Sequence, residues 1–332
     1  MPARTYAIPY LRIRAFTFLP CLLSTVGFAV YRGTLDVYTP LFISLVSNIV
    51  NVVLDPVLIF SANMGVAGAA LATCASELTS FLLYTCAFIQ KGLMPSFRKL
   101  SIPPSFELLL PMLLGGLSMQ MRSIALNIAM LAVNRVAQGM DSEGVYAAAH
   151  TLSLQVFQLG SVLSMALSTV AAVLIPSVRA KHGHNTYTAL TEARQAANRL
   201  LTWSVFVGCF LAGLQLSLLP LLSFFSPLLH VQEAARLPTV LGAALQLVNC
   251  IVWTGEGIQT GNQRFAPLAA TTLVATVGML VSLRYMKHSL VGVWGSFGVL
   301  AGVRLLGVLR EHNRAGPLAP NEMQKVRDHK EL

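Results

Sequence analysis

The chain has 332 residues, of which 55% are hydrophobic and only 11% charged, against about a quarter charged in an ordinary soluble domain, so a soluble globular fold is excluded. The formal charge of +10 collects in short loops between apolar runs, as the positive-inside rule expects of a polytopic membrane protein, and nucleic acid is excluded as a partner. Five cysteines fall singly inside apolar segments with no CxxC pair, which excludes a zinc site or a disulfide framework.

At about 20 residues per crossing, the sequence predicts an all-α membrane protein of nine spans: 15–31, 40–60, 66–89, 107–134, 146–177, 200–224, 238–258, 266–284 and 289–308. The first span is preceded by Arg4, Arg12 and Arg14. The second and third are joined by a short turn near Asn63 and must lie antiparallel. Asn48, Asn51 and Asp55 are spaced i, i+3, i+7 and share one face of the second span. Counted from the turn, Thr73 lies about as far along the third span as Asp55 lies along the second, so two neighbouring helices can build one polar cluster. A carboxylate at mid-membrane costs roughly 2.5 to 3.5 kcal/mol on insertion scales, so a buried Asp55 needs polar partners, a cation or a proton. Glu77, further along the third span, is a second acid at depth.

The fourth span carries Arg122 in GGLSMQMRSIALN, with Gln120 and Asn127 on other sides of the helix. An arginine at that depth calls for a carboxylate partner or a route to the interface. Glu256 is the seventh span's acid and sits between Gly255 and Gly257, where another backbone can approach closely. Arg304 in the ninth span joins Arg122 as an intramembrane base. The polar residues 309–332, with Gly316, Pro317 and Pro320, read as a disordered tail.

Alternating the loops across the membrane puts fourteen Lys and Arg on the side of Arg32 and seven on the other, so the C-terminus is expected in the cytoplasm. Gly65-Val66-Ala67-Gly68 and Pro40-Leu41 recur as Gly292-Val293-Trp294-Gly295 and Pro267-Leu268, both at an offset of 227. Spans one to three therefore read as an earlier copy of spans seven to nine. Spans four to six have no such partner, and the missing copy would lie upstream of Met1. The expectation is a twelve-helix transporter without its first three helices. No nucleotide loop, metal-ligand spacing or nucleophile elbow is found, so the chain reads as neither an enzyme nor an ATP-driven pump.

Tyr31-Arg32-Gly33 through Tyr38-Thr39-Pro40, then Asn51-x-x-x-Asp55-Pro56 and Gly65-Val66-Ala67-Gly68-Ala69-Ala70-x-Ala72-Thr73, resemble the multidrug and toxic compound extrusion (MATE) antiporters, in particular the DinF-like branch with its plant plastid relatives. The resemblance extends to about residue 310. It implies two lobes that export organic, often cationic or amphipathic, compounds in exchange for H⁺ or Na⁺, with no other cofactor. Residues 1–90 would be a partial N-terminal lobe, 91–106 an interlobe cytoplasmic loop and 107–308 the C-terminal lobe. Asn51, Asp55 and Thr73 match the family's cation-site positions, with Asn48 beside them. Glu256 matches the acid of the tenth family helix, and Arg122, Gln120, Asn127, Glu256 and Glu77 are expected at the substrate cavity. The partners are a small organic substrate and the bilayer, the chain is expected to be monomeric, and the membrane is the plastid envelope or the plasma membrane. A lipid-linked saccharide flippase of the same superfamily, or a non-transporting membrane scaffold, is the alternative.

Overall fold

Pro20 has no N–H to donate and its ring clashes with the carbonyl four residues back. That carbonyl belongs to Phe16, where α1 (Ala3–Phe16) ends. After Thr17, α2 (Phe18–Gly33) sets off at 56° to α1. The first predicted span, 15–31, is thus only the second arm of a bent pair, and Arg14, expected to precede the membrane, belongs to the first arm. Pro56 presents the same clash to the carbonyl of Val52, yet α3 (Tyr38–Pro56) continues into a π-helical turn, Val57–Ser61, closed by the Ala62 N–H on the Val57 carbonyl at 2.9 Å. Positive φ at Asn63 and Gly65 then reverses the chain into α4 (Gly65–Gln90).

The computed structural model describes residues 3–94, 105–181, 183 and 186–328. Most of the predicted interlobe loop, residues 95–104, lies outside the described residues. The chain divides into two units, Met1–Pro104 and Ser105–Leu332. In the first, α4 packs against α1, α2 and α3. A Cβ on Gly68 would stand 2.7 Å from the Leu58 backbone, so only glycine permits this closeness of the hairpin. Tyr31, Ile43 and Tyr84 form its buried core, and Phe88 stacks on Tyr31 at 5.3 Å. At one end Asp36 accepts the Thr39 N–H at 3.1 Å and the Lys91 ammonium at 2.5 Å, tying the α2–α3 turn to the end of α4. The Lys91 contact, ahead of the bonds from Thr39, holds the Asp36 carboxyl below the usual carboxylate range, and Asp36 in turn raises Lys91.

The second unit runs α5 (Phe106–Gln138), α6 (Val145–Lys181), α7 (Tyr187–Ser217), the short α8 (Leu222–Phe225), α9 (Leu229–Gly261), α10 (Phe265–Met286), α11 (Leu290–Arg310) and α12 (Pro320–Asp328). Helix α9 is its axis, packed on α6, α7 and α11, while α10 packs on α11 and α5. Small side chains let these helices close up, and polar ones join them. Gln246 donates to the Phe157 carbonyl at 2.6 Å and to Gln215 at 3.2 Å, Gln215 donates to the Thr239 carbonyl at 2.9 Å, and Ser153 donates to the Ala235 carbonyl at 3.1 Å. In an apolar solvent such interhelical bonds and van der Waals contact hold a bundle together, because lipid is as apolar as leucine. His150 is buried, with Nε2 hydrogen-bonded to Asn134 Oδ1 at 3.1 Å.

Eight of the described helices are long and apolar enough to cross a membrane, nine if the bent α1–α2 pair counts as one span. This is an integral, multi-pass, all-α membrane protein. The repeat landmarks occupy matching places. Pro40 and Pro267 stand in the first turns of α3 and α10, and Gly65 and Gly292 in the first turns of α4 and α11.

The tail departs from the predicted disorder. After α11 the chain makes a π-helical turn, Glu311–Ala315, and then forms α12. Leu318, Ala319 and Met323 are buried, and Leu318 and Met323 pack in one cluster with Ile175, Leu190, Ala193 and Ala197. Arg194 donates to the carbonyls of His312 and Leu318, and Arg264 to Glu311 at 3.0 Å. Composition registered the polar residues, but Leu318, Met323 and Val326 converge on a cluster built largely by α6 and α7, and two arginines take up the chain's backbone and charge.

Candidate functional site

Glu256 lies near the end of α9, and its neighbours decide its surroundings. A Cβ on Gly255 would meet Val308 of α11 at 2.1 Å, and one on Gly257 would meet the Ser168 carbonyl of α6 at 2.2 Å. The two glycines let α9 sink between α6 and α11, leaving Glu256 only 4% exposed. Arg304 of α11 grips it as a fork, Nε to Oε1 at 2.8 Å and Nη2 to Oε2 at 2.7 Å. Arg122 of α5 donates to the same Oε2. Arg304 is also 4% exposed and lies 5.7 Å over the Trp253 ring. Three helices therefore meet at a buried triad of two guanidiniums and one carboxylate.

Arg304 is in addition one wall of a cavity of about 290 Å³ between α5, α6, α9 and α11. Its walls are largely apolar, with the rings of Phe157, Trp253, Trp294 and Phe297 among aliphatic side chains, and its polar groups besides Arg304 are Gln158, Ser161 and Asn249. Phe157 meets Trp294 edge-on at 6.0 Å, and Phe297 packs on the same ring at 5.6 Å.

The structure brings Arg122 and Glu256 together as the depth of the arginine suggested. Arg304, which completes the triad, was legible only as a base in an apolar run. Gln120 and Asn127 stay apart from it on exposed faces of α5, Asn127 donating back to the Ser123 carbonyl at 2.9 Å. Glu77 is engaged elsewhere. It binds Arg14 at 2.6 Å and accepts the Thr17 hydroxyl at 2.8 Å, so the acid of α4 pins the bend between α1 and α2. On the hairpin, Asn48 is exposed and Asn51, Asp55 and Thr73 are half-buried. Thr73 gives its hydroxyl to the Ala69 carbonyl of its own helix at 2.9 Å. No hydrogen bond or ion pair joins Asp55 to Asn48, Asn51 or Thr73 among the described residues. The aromatic cavity carried no sequence signal of its own, since its rings come from three helices and read singly as core.

No family model matches the chain. It is 28% identical to the protein DETOXIFICATION 44, chloroplastic, of Arabidopsis thaliana over 324 residues, which are 95% of this chain and 59% of that relative. The chain thus spans about three fifths of the length of the curated relatives it matches. Among solved structures it is similar to a MATE protein in the bent conformation, with a TM-score of 0.78 and 18% identity over 98% of this chain and 70% of the other. It is similar also to an outward-facing multidrug resistance MATE family transporter of the MOP superfamily, with a TM-score of 0.80 and 18% identity over 97% and 71%. The chain is thus similar in sequence to plant DETOXIFICATION proteins and in fold to solved MATE transporters.

Proposed function

We propose that the chain works in secondary active transport, moving amphipathic organic compounds across a membrane by alternating access, with H⁺ or Na⁺ as the coupling ion. The observation that carries the reading is the buried triad whose Arg304 lines an apolar cavity. Neither a structural scaffold nor a helix anchor requires three ionisable side chains and a void of ligand size inside an apolar bundle, where both are costly. On this reading the second unit supplies the substrate-binding surface. The face of α3 with half-buried Asn51 and Asp55 and exposed Asn48, together with Thr73 on α4, supplies the coupling site. Asp55 cycles between a protonated or sodium-bound and an empty state, and each binding or release shifts the conformational equilibrium that frees the substrate. The C-terminus faces the cytoplasm on the loop-charge argument, and the name of the chloroplastic relative favours a plastid membrane.

The test is flux in proteoliposomes loaded with fluorescent amphipathic compounds of either charge, under an imposed H⁺ or Na⁺ gradient. Gradient-driven efflux by the wild-type chain that falls to background in Asp55→Asn is the expected result. Equal flux in the two proteins would remove Asp55 from the coupling mechanism.

A further inference from the structure

Each copy of the repeat leaves a groove between its second and third helices, and the two grooves differ in charge. In the first copy a groove of about 420 Å³ runs between α3 and α4, with Phe42, Ile43, Leu83 and Lys91 on its sides. Its base is already matched, since Lys91 pairs with Asp36 at 2.5 Å. In the second copy a groove of about 330 Å³ runs between α10 and α11, where Ala270 and Arg310 take the places of Ile43 and Leu83 at the offset of 227. Gly307 brings these helices close, since a Cβ there would meet Thr271 Cγ2 at 2.2 Å. Val274 and Leu306 flank that contact and are 63% and 67% exposed, so the groove opens outward.

Helix α10 has 22 residues, a length of about 33 Å against a hydrocarbon core of about 30 Å, so its ends lie at the two membrane surfaces. Pro267 at its start and Arg310 at the end of α11 put the mouth of the groove at headgroup level. Val274, about two turns further in, lies among acyl chains. Charge at the mouth is unbalanced. Glu311 lines it, but Arg264 holds that carboxylate at 3.0 Å. Arg310 is exposed and makes no hydrogen bond or ion pair among the described residues. One arginine in excess beside an apolar cleft complements a lipid of net negative charge, the guanidinium on the phosphate and the arginine stem along a chain.

We infer that the groove between α10 and α11 holds one anionic phospholipid, its phosphate on Arg310 and an acyl chain along Val274, Val303 and Leu306. The groove between α3 and α4, with its base matched, has no such preference. The site needs nothing of the transport reading above.

The test is native mass spectrometry of the full chain in detergent, titrated with phosphatidylglycerol and phosphatidylcholine of identical acyl chains. A first phosphatidylglycerol bound about tenfold tighter than phosphatidylcholine is expected, the scale of a charge-assisted hydrogen bond. Arg310→Gln should level the two lipids. Ala270→Phe, which fills the groove and leaves every charge in place, should remove the tight adduct. Both positions are exposed, so neither variant disturbs the core. Lys91→Gln, in the counterpart groove, should leave the preference as it is. Equal affinity of the wild type for the two lipids, a preference that survives Arg310→Gln or Ala270→Phe, or an equal loss in Lys91→Gln would each overturn the site. Glycerol phosphate, the headgroup without chains, should not displace the lipid; displacement would overturn the lipid in favour of a soluble phosphate ester.

Discussion

Two arginines converge on Glu256 where one would neutralise it, and that excess has a stability consequence of its own. Removing one partner of a buried ionic group leaves the others uncompensated, at a cost of about 3 to 5 kcal/mol. Glu256→Ala strands two guanidiniums and should lower the melting temperature in detergent steeply, whereas Glu256→Gln, which keeps acceptor and shape, should lose less. Equal losses for the two would mean that the triad contributes little. Asp36 is a different case, a half-buried carboxylate whose titration is lowered first by Lys91. Its pKa is lower in the folded chain, so its stabilisation is complete above the ordinary carboxylate pKa of about 4 and is lost as pH falls from there through the depressed value. The melting temperatures of wild type and Asp36→Asn should therefore differ at neutral pH and converge on acidification; a gap that stays constant down to pH 3 would contradict this.

What could be read at this scale depended on rarity. Arg122 and Glu256 stand out because charge in an apolar run is expensive, and cost does not depend on knowing the fold. Their pairing across 134 positions, the role of Arg304 and the diversion of Glu77 to Arg14 are matters of which faces meet, and no spacing within one helix contains that. The three polar residues of α3 were legible as a face, and the structure leaves that face half-exposed.

At the scale of elements, local rules worked where the deciding atoms are local. Pro20 explains the break at Phe16 from one ring and one carbonyl. The hairpin of α3 and α4 follows from a polar turn and a small-residue helix. The tail shows where the same reasoning stops, because α12 draws its order from contacts with α6 and α7 far away in sequence. Met323→Asp would bury a carboxylate in that apolar contact, at a cost of roughly 2 to 4 kcal/mol. Tryptic cleavage after Lys325 and Arg327 should speed up in the variant, and unchanged cleavage would mean that α12 is not held by this contact.

For the whole molecule, composition alone separated membrane from water, and the recurrence of Pro-Leu and Gly-Val-x-Gly at a fixed offset found the repeat. What recurrence does not convey is how the copies differ. At the same offset of 227, Glu77 on α4 corresponds to Arg304 on α11, so equivalent places on the two copies carry opposite charges, one paired with Arg14 and the other with Glu256. Duplicated segments are prone to exchange places while a chain folds. Here the exchange is penalised electrostatically. With α11 in the place of α4, Arg304 would confront Arg14; with α4 in the place of α11, Glu77 would confront Glu256, and neither like-charged pair could be hydrated in lipid. The reversed pairs thus act as a key that tells each copy which helix is its own.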